Sequence, residues 1–242
     1  MDWAGILNPL IGTLVGAGLA FLSNWFFQHK AQVRDNLAAG RRALFTIDAQ
    51  FQELANYRYA MRHAISIVHK AMPEAAVWMF AKPMGYNFNP SNVFDFKALV
   101  FLLSTKSGRE AFGRLQFVER TYLDFVARHT DLNASAQELQ KAMAPIHREK
   151  GNISIPEMEK QLGLELTTKV RSHLQAVVLR TDRDEERYKK AYIQHNKVMF
   201  ETFGKDVRMP ELSMTEKFTN ASLPPLPASL VTYLNSIPLV AN

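Results

Sequence analysis

The chain has 242 residues, of which 47% are hydrophobic and 21% charged, and 29 Lys and Arg against 23 Asp and Glu leave a net charge of +6. That length suits one domain or two small ones with a proper core, and basic residues spread along the chain and interleaved with acids describe a solvated surface rather than a patch for anionic lipid headgroups or nucleic acid. The absence of cysteine excludes disulfides, thiolate metal ligands and a cysteine nucleophile, in keeping with a reducing compartment.

After a short N-terminus, residues 1–4, residues 5–27 form an apolar run without a charged side chain, closed by Gln28, His29 and Lys30. About 23 residues at 1.5 Å each span the roughly 30 Å hydrocarbon core of a bilayer. A cleaved signal peptide would need a basic leader, a shorter core and a small-x-small site, whereas Asp2 is acidic and Trp25, Phe26 and Phe27 are bulky. The run reads as an uncleaved, single-pass transmembrane helix. Lys30, Arg34, Arg41 and Arg42 outnumber Asp35 on its C-terminal flank, so the positive-inside bias puts the remainder on the cytoplasmic side of a bacterial inner membrane. Trp3 and Trp25 suit the two aromatic belts.

Residues 28–72 predict a stalk helix that continues the anchor. Leu37, Leu44, Phe51 and Ile65 keep a seven-residue spacing, and Ile47, Leu54, Met61 and Val68 interleave with them as in a coiled-coil seam. After Gly40 the one polar member of the two series is Arg58, and no proline intervenes between Pro9 and Pro73. One helix to about Ala71, roughly 100 Å long, is expected.

Residues 73–92 hold Pro73, Pro83, Gly85 and Pro90 together with Trp78, Phe80, Tyr86 and Phe88, a loop too apolar to lie free. Residues 93–205 read as a helical bundle. Ser91 or Asn92 caps a helix from Val93 to about Leu103, and a second runs from about Ser107 to His129. Ser135 with Glu138 has capping-box spacing and opens a short helix that stops near Pro145. Asn152 to Ile155 form a connector, and Pro156 opens a long helix to Phe203 that Gly204 ends. Residues 206–242 carry five prolines and predict an extended, docked tail. The expected fold class is therefore all-α.

Candidate functional residues lie first in the anchor. Gly12, Gly16 and Ala20 form a small-xxx-small ridge, and Asn8, Thr13 and Asn24 place polar groups in or beside the membrane. Three readings stay open: a glycine-rich helix with interfacial polar residues, a homo-oligomer packed through the ridge, and a ring of helices enclosing water. The second set is Arg58 with His63 and Arg62 with His69, separated by four and six residues. Both resemble the R-x4-6-H pattern of the HEPN ribonuclease fold, which implies a histidine in acid-base transfer and an arginine on the phosphate. The competing reading makes Arg58 a polar notch fixing the register of the seam and leaves both histidines on the surface.

Taken with the single anchor and the helical remainder, that motif is similar to the membrane accessory protein of type VI-B CRISPR systems. The resemblance implies an oligomeric pore supporting antiviral defence, with the HEPN-like part structural or regulatory. Metal, phosphate-loop and hydrolase signatures do not occur, so no cofactor, metal or small-molecule substrate is expected. Arg180 to Lys190 reads as a solvated face with i,i+4 pairs, and Lys141, His147, Arg148 and Lys150 as ordinary basic surface. The expectation is a self-associating membrane-perturbing effector or pore. Its alternatives are a membrane-anchored scaffold for a cytoplasmic protein or RNA-protein partner, and a HEPN-type ribonuclease.

Overall fold

The structure, a computed structural model, describes residues 3–150, 153–204 and 223–236, with side chains from Thr13 onward apart from 149–150, 180–183 and 185. These residues are all-helical, with no strand among them. The first helix, α1, runs unbroken over Trp3–Ala71. It stops because Pro73 lacks an N–H and crowds the preceding residue out of helical geometry; Met72 still donates to the Val68 carbonyl at 2.8 Å.

Further helices follow at α2 (Lys106–Lys150), α3 (Ile155–Leu162), α4 (Leu164–Phe203) and α5 (Ala228–Ser236), with 3-10 turns at Val77–Phe80 and Val100–Ser104. The core lies where α4 packs against both α1 and α2. Leu44, Ile47, Phe51, Leu54, Tyr57, Met61, Ile65 and Val68 meet Leu115, Tyr122 and Phe125 of α2 and Val177, Tyr188 and Val198 of α4 there. Helix α4 runs antiparallel to α1: His195 reaches Gly40, and Tyr188 reaches Gln50 further along. Helix α2 runs parallel to α1, with Tyr122 at Glu53 and His129 at Tyr57.

This arrangement corrects the coiled-coil stalk. The heptad stripe is present, but its side chains are buried by the chain's own α2 and α4, so it is not a seam left open for a second copy. A 3-4 stripe records only that a helix face is covered, and an intramolecular partner satisfies it as well as an intermolecular one.

Four further boundaries differ from the sequence reading. Residues 93–99 do not form a helix, because Asp95 accepts from its own Ala98 amide at 3.2 Å and the Glu119 carboxylate takes the Phe94 amide at 2.7 Å. Ser135 is no cap: it is buried inside α2 and its hydroxyl donates back to the Leu132 carbonyl at 3.0 Å. Pro145 likewise lies within α2, one turn from its end. The long helix expected from Pro156 breaks at Gly163, whose φ of 82° suits glycine, while Ser154 caps α3 by accepting from the Glu157 amide at 3.4 Å. Gly204, with φ of 86°, ends α4 as expected.

The loop after α1 is docked, with Trp78 and Phe80 buried. Most of the proline-rich tail lies outside the described residues. Its described part is helical rather than extended: α5 buries Leu230 and Leu234, and Pro224 receives a hydrogen bond from Arg62 at 3.4 Å.

Glycine is required sterically at the start of α2. A Cβ on Gly108 would overlap the Leu102 carbonyl oxygen, a backbone atom that cannot swing aside, and the Gly108 amide is held by Thr105 Oγ1 at 3.0 Å. We expect Gly108→Ala to lower unfolding stability by about 1–3 kcal/mol through overpacking. Gly113→Ala, where a Cβ meets only open space, should instead gain up to about 1 kcal/mol. Equal denaturation midpoints for the two variants would refute the assignment.

Candidate functional site

The two halves of α1 differ in what surrounds them. From Gly40 onward one face is buried, whereas between Thr13 and Gln28 every described side chain is exposed. Leu14 (70% exposed), Leu19 (61%), Phe21 (70%), Leu22 (59%), Phe26 (58%) and Phe27 (68%) point in all directions around the axis. A helix apolar on every side is at home in a core or in lipid, and no described residue covers this one. At its polar end Trp25 stacks on His29 with ring centroids 5.7 Å apart, and Gln28 donates to Asn24 Oδ1 at 3.3 Å.

The anchor candidates divide accordingly. Asn8 and Gly12 lie outside the described side chains. Thr13, Gly16, Ala20 and Asn24 lie on the projecting rod, and a Cβ added at Gly16 would touch nothing within 4 Å. Among the described residues no helix is long and apolar enough to cross a membrane. Those residues omit the side chains of Gly5 to Gly12, the first third of the apolar run.

The arginine-histidine candidates are spread around α1. Arg58 is 4% exposed. His63, about 140° further round the helix, lies in solvent, stacked parallel to Tyr59 at 6.4 Å. Arg62 and His69 share a flank but stand about two turns, roughly 10 Å, apart along the axis. Arg62 spends a hydrogen bond on Pro224, and His69 Nδ1 is buried without a hydrogen-bond partner among the described residues. The helix thus places each pair's two side chains well apart, and Arg58 fits the buried polar notch.

Elsewhere Lys141, His147 and Arg148 are exposed. The charged stretch at Arg180 to Lys190 is solvated only in part. Lys190 pairs with Glu186 at 3.5 Å, but the Asp184 side chain is 3% exposed and bound to Arg187 at 2.8 Å, and that guanidinium lies 5.0 Å from the Phe117 ring centre.

No protein-family model, curated protein or solved structure matches the chain.

The polar groups that sequence reasoning missed form a clasp. Glu53 accepts from the Tyr122 hydroxyl, from Asn92 Nδ2 at 2.7 Å and from the Asn89 amide at 3.3 Å, and its carbonyl accepts from the Tyr86 hydroxyl at 3.1 Å. Gln50 then donates to the Asn92 carbonyl at 2.6 Å. One helical turn of α1 therefore holds residues 86–92 against the bundle. Burial, then the hydrogen bond and charge of Glu53, push the Tyr122 phenol well above its ordinary pKa. Tyr122 is thus a permanent donor rather than an acid. Beneath it, Tyr57 is fully buried among Tyr86, Phe88, Phe125 and His129, at ring distances of 5.0 to 5.7 Å, with no hydrogen-bond partner for its hydroxyl among the described residues. A signal was available: Asn89 and Asn92 bracket Pro90, a pattern that fixes a turn needing acceptors.

Two buried histidines complete the polar interior. His195 Nε2 donates to the Gly40 carbonyl at 3.0 Å, where α1 and α4 approach so closely that a Cβ on Gly40 would overlap Met199. His129 Nε2 lies 3.1 Å from Asn133 Nδ2, whose amide group also brackets the Met84 backbone, so the histidine nitrogen accepts. Burial lowers the pKa of both rings. The unfolded chain, with histidines near pKa 6.5, takes up protons that the folded one refuses. Stability is therefore complete above about pH 6.5 and falls as pH drops below it. Thermal unfolding from about pH 7.5 to pH 5 should show this decline, and His195→Gln should shallow it; parallel profiles for the two proteins would exclude the mechanism.

Among the described residues no group of three or more His, Asp or Glu could hold a metal ion. A groove of about 300 Å³ runs between α1 and residues 91–99, lined by Ala39, Ala43, Phe45, Val93 and Leu99 with Arg42 and Asp95 at its edges. Thr46 and Ser91 also line it, and the Thr46 hydroxyl donates to the Arg42 carbonyl of its own helix at 3.1 Å.

Proposed function

We propose that the chain is a single-pass bacterial inner-membrane protein whose cytoplasmic helical bundle works as a tethered binding module for a protein or RNA-protein partner. The observation that carries this reading is the projecting rod of α1, whose described side chains from Thr13 to Gln28 are exposed and largely apolar, continuous as one helix with the bundle. Burying one such side chain is worth about 1.5–3 kcal/mol, so a row of them left in water would drive association with lipid. The test is fractionation of the full chain followed by an alkaline carbonate wash. Retention in the pellet supports the anchor; recovery of intact protein in the soluble pool removes the proposal.

A membrane-perturbing pore is the second reading, favoured by one observation: α1 passes from apolar rod to bundle without a break, so motion at the clasp reaches the anchor. Because the heptad stripe is used internally, association would depend on the Gly12, Gly16 and Ala20 ridge alone. A membrane-potential dye distinguishes the two readings. Depolarisation on expression that vanishes when the anchor is exchanged for an unrelated one supports the pore, and unchanged polarisation leaves the tether.

A further inference from the structure

The end of the bundle nearest the anchor has a surface of its own. The antiparallel run of α4 along α1 places it. Met199 abuts Gly40, so the last turn of α4 rises about 6 Å further, to the level of Asn36. Phe101 packs on Phe203 at 5.7 Å, and Ser107 donates to Glu201 at 3.0 Å, which brings the Val100–Ser104 turn and the start of α2 to the same height. From Phe27 to Asn36 is about 13 Å of helix, of which the polar headgroup layer occupies about 5–7 Å. The bundle end therefore stands within about one Debye length of the headgroups at physiological salt.

Its composition is that of an interfacial surface. Val100 (55% exposed) and Leu103 (40%) from the 3-10 turn and Phe200 (40%) from α4 project apolar side chains there. Around them lie exposed Lys97, Lys106, Arg109 and Lys197, with Lys30 and Arg34 on the emerging helix. The acids on these segments are fewer: Asp35, Asp95, Glu110 and Glu201, and Glu201 is engaged by Ser107 and by Lys197 at 3.8 Å. Arg109 donates to the Leu103 carbonyl at 3.1 Å, which fixes a cation directly beside an apolar tip.

We propose that this end of the bundle binds the surface of an anionic phospholipid bilayer, its cations meeting headgroup phosphates while Val100, Leu103 and Phe200 enter the interface. The inference rests on the anchor reading and adds a second, electrostatic contact that orients the bundle on the membrane. It makes the bundle's standing sensitive to lipid charge and ionic strength.

The experiment uses the full chain in lipid nanodiscs, and the natural absence of cysteine allows single-site labelling. An environment-sensitive dye goes on Leu103→Cys, and in a control on exposed Leu123→Cys, which lies on α2 about 39 Å below the anchor, level with Glu53. Discs of zwitterionic lipid are compared with discs holding about 30 mol% phosphatidylglycerol. The expected result is a blue shift and a loss of aqueous quenching at position 103 in anionic discs alone, abolished by about 1 M salt and by combined Lys97→Glu, Lys106→Glu and Lys197→Glu, with position 123 unchanged. A probe at 103 indifferent to lipid charge, in protein that still co-elutes with the discs, overturns this inference and leaves the anchor standing. Failure to co-elute with either disc overturns the anchor and this inference with it. A shift that survives the three reversals shows that charge does not hold the contact, and also overturns it.

Discussion

Replacing Leu19 and Leu22 together with arginine should shift the chain from the carbonate-resistant membrane pellet to the soluble fraction. Both side chains are mostly exposed on the projecting half of α1, 61% and 59%, and neither belongs to the buried core. The bundle should therefore fold as before. Each arginine near the centre of a spanning helix costs about 2.5–3.5 kcal/mol on the insertion scale, and each lost leucine gives up about 0.5 kcal/mol more. Two substitutions together oppose insertion by roughly 6–8 kcal/mol, enough to reverse the partition of a single marginal span. The control is Phe45→Arg, equally exposed at 59% but beyond the first buried turn at Ala39, which should leave fractionation unchanged. Circular dichroism of the released double variant should retain its helical signal. If the double variant remains in the pellet after the wash, or if Phe45→Arg is also released, the projecting rod is not what holds the chain to lipid.

The contrast between Leu19 and Leu44 shows how far the sequence could be read. Both are leucines of one helix, in a stretch without proline between Pro9 and Pro73, and periodicity identified that helix to the residue at which it ends, because 3.6-residue spacing and a terminal Pro73 are local properties. Periodicity also picked the buried face. It could not say what covers that face, since the partners, α2 and α4, come from later, separate segments of the chain. The same limitation made Ser135 look like a cap: its spacing to Glu138 suits a helix start, yet it sits where α2 passes through the core and bonds backward to Leu132. Gly163 was missed because an isolated glycine within a helical pattern is tolerated as often as it breaks one; here the positive φ decides. Of the candidate site, the apolar rod was legible as a composition. The clasp was not, because Glu53, Tyr122, Asn89 and Asn92 come from three segments whose meeting is a property of the fold.

Removing the carboxylate at the centre of that clasp should have the largest effect on the bundle itself. Glu53→Ala leaves the Tyr122 hydroxyl, on a side chain 1% exposed, with only the distant Asn89 carbonyl at 3.4 Å, and strips Asn92 Nδ2 and the Asn89 amide of their acceptor. A buried donor left unsatisfied costs about 1–3 kcal/mol. With one donor buried and two at the margin, the expected loss is about 2–4 kcal/mol of unfolding free energy, at the upper end of ordinary single substitutions. Glu53→Gln keeps one acceptor oxygen and should lose about half as much. Tyr122→Phe deletes the donor together with its need, so the double variant Glu53→Ala/Tyr122→Phe should be less destabilised than the two single losses summed, by about 1–2 kcal/mol of coupling. Hydrogen exchange would locate the change. Amides of residues 86–94 should lose protection in Glu53→Ala while those of α4 around Tyr188 keep it, because the loop is held by Glu53 and the helix by its apolar face. Additive losses in the cycle, or protection lost uniformly along the chain, would mean that Glu53 merely decorates a loop already fixed by Trp78, Phe80 and Phe88.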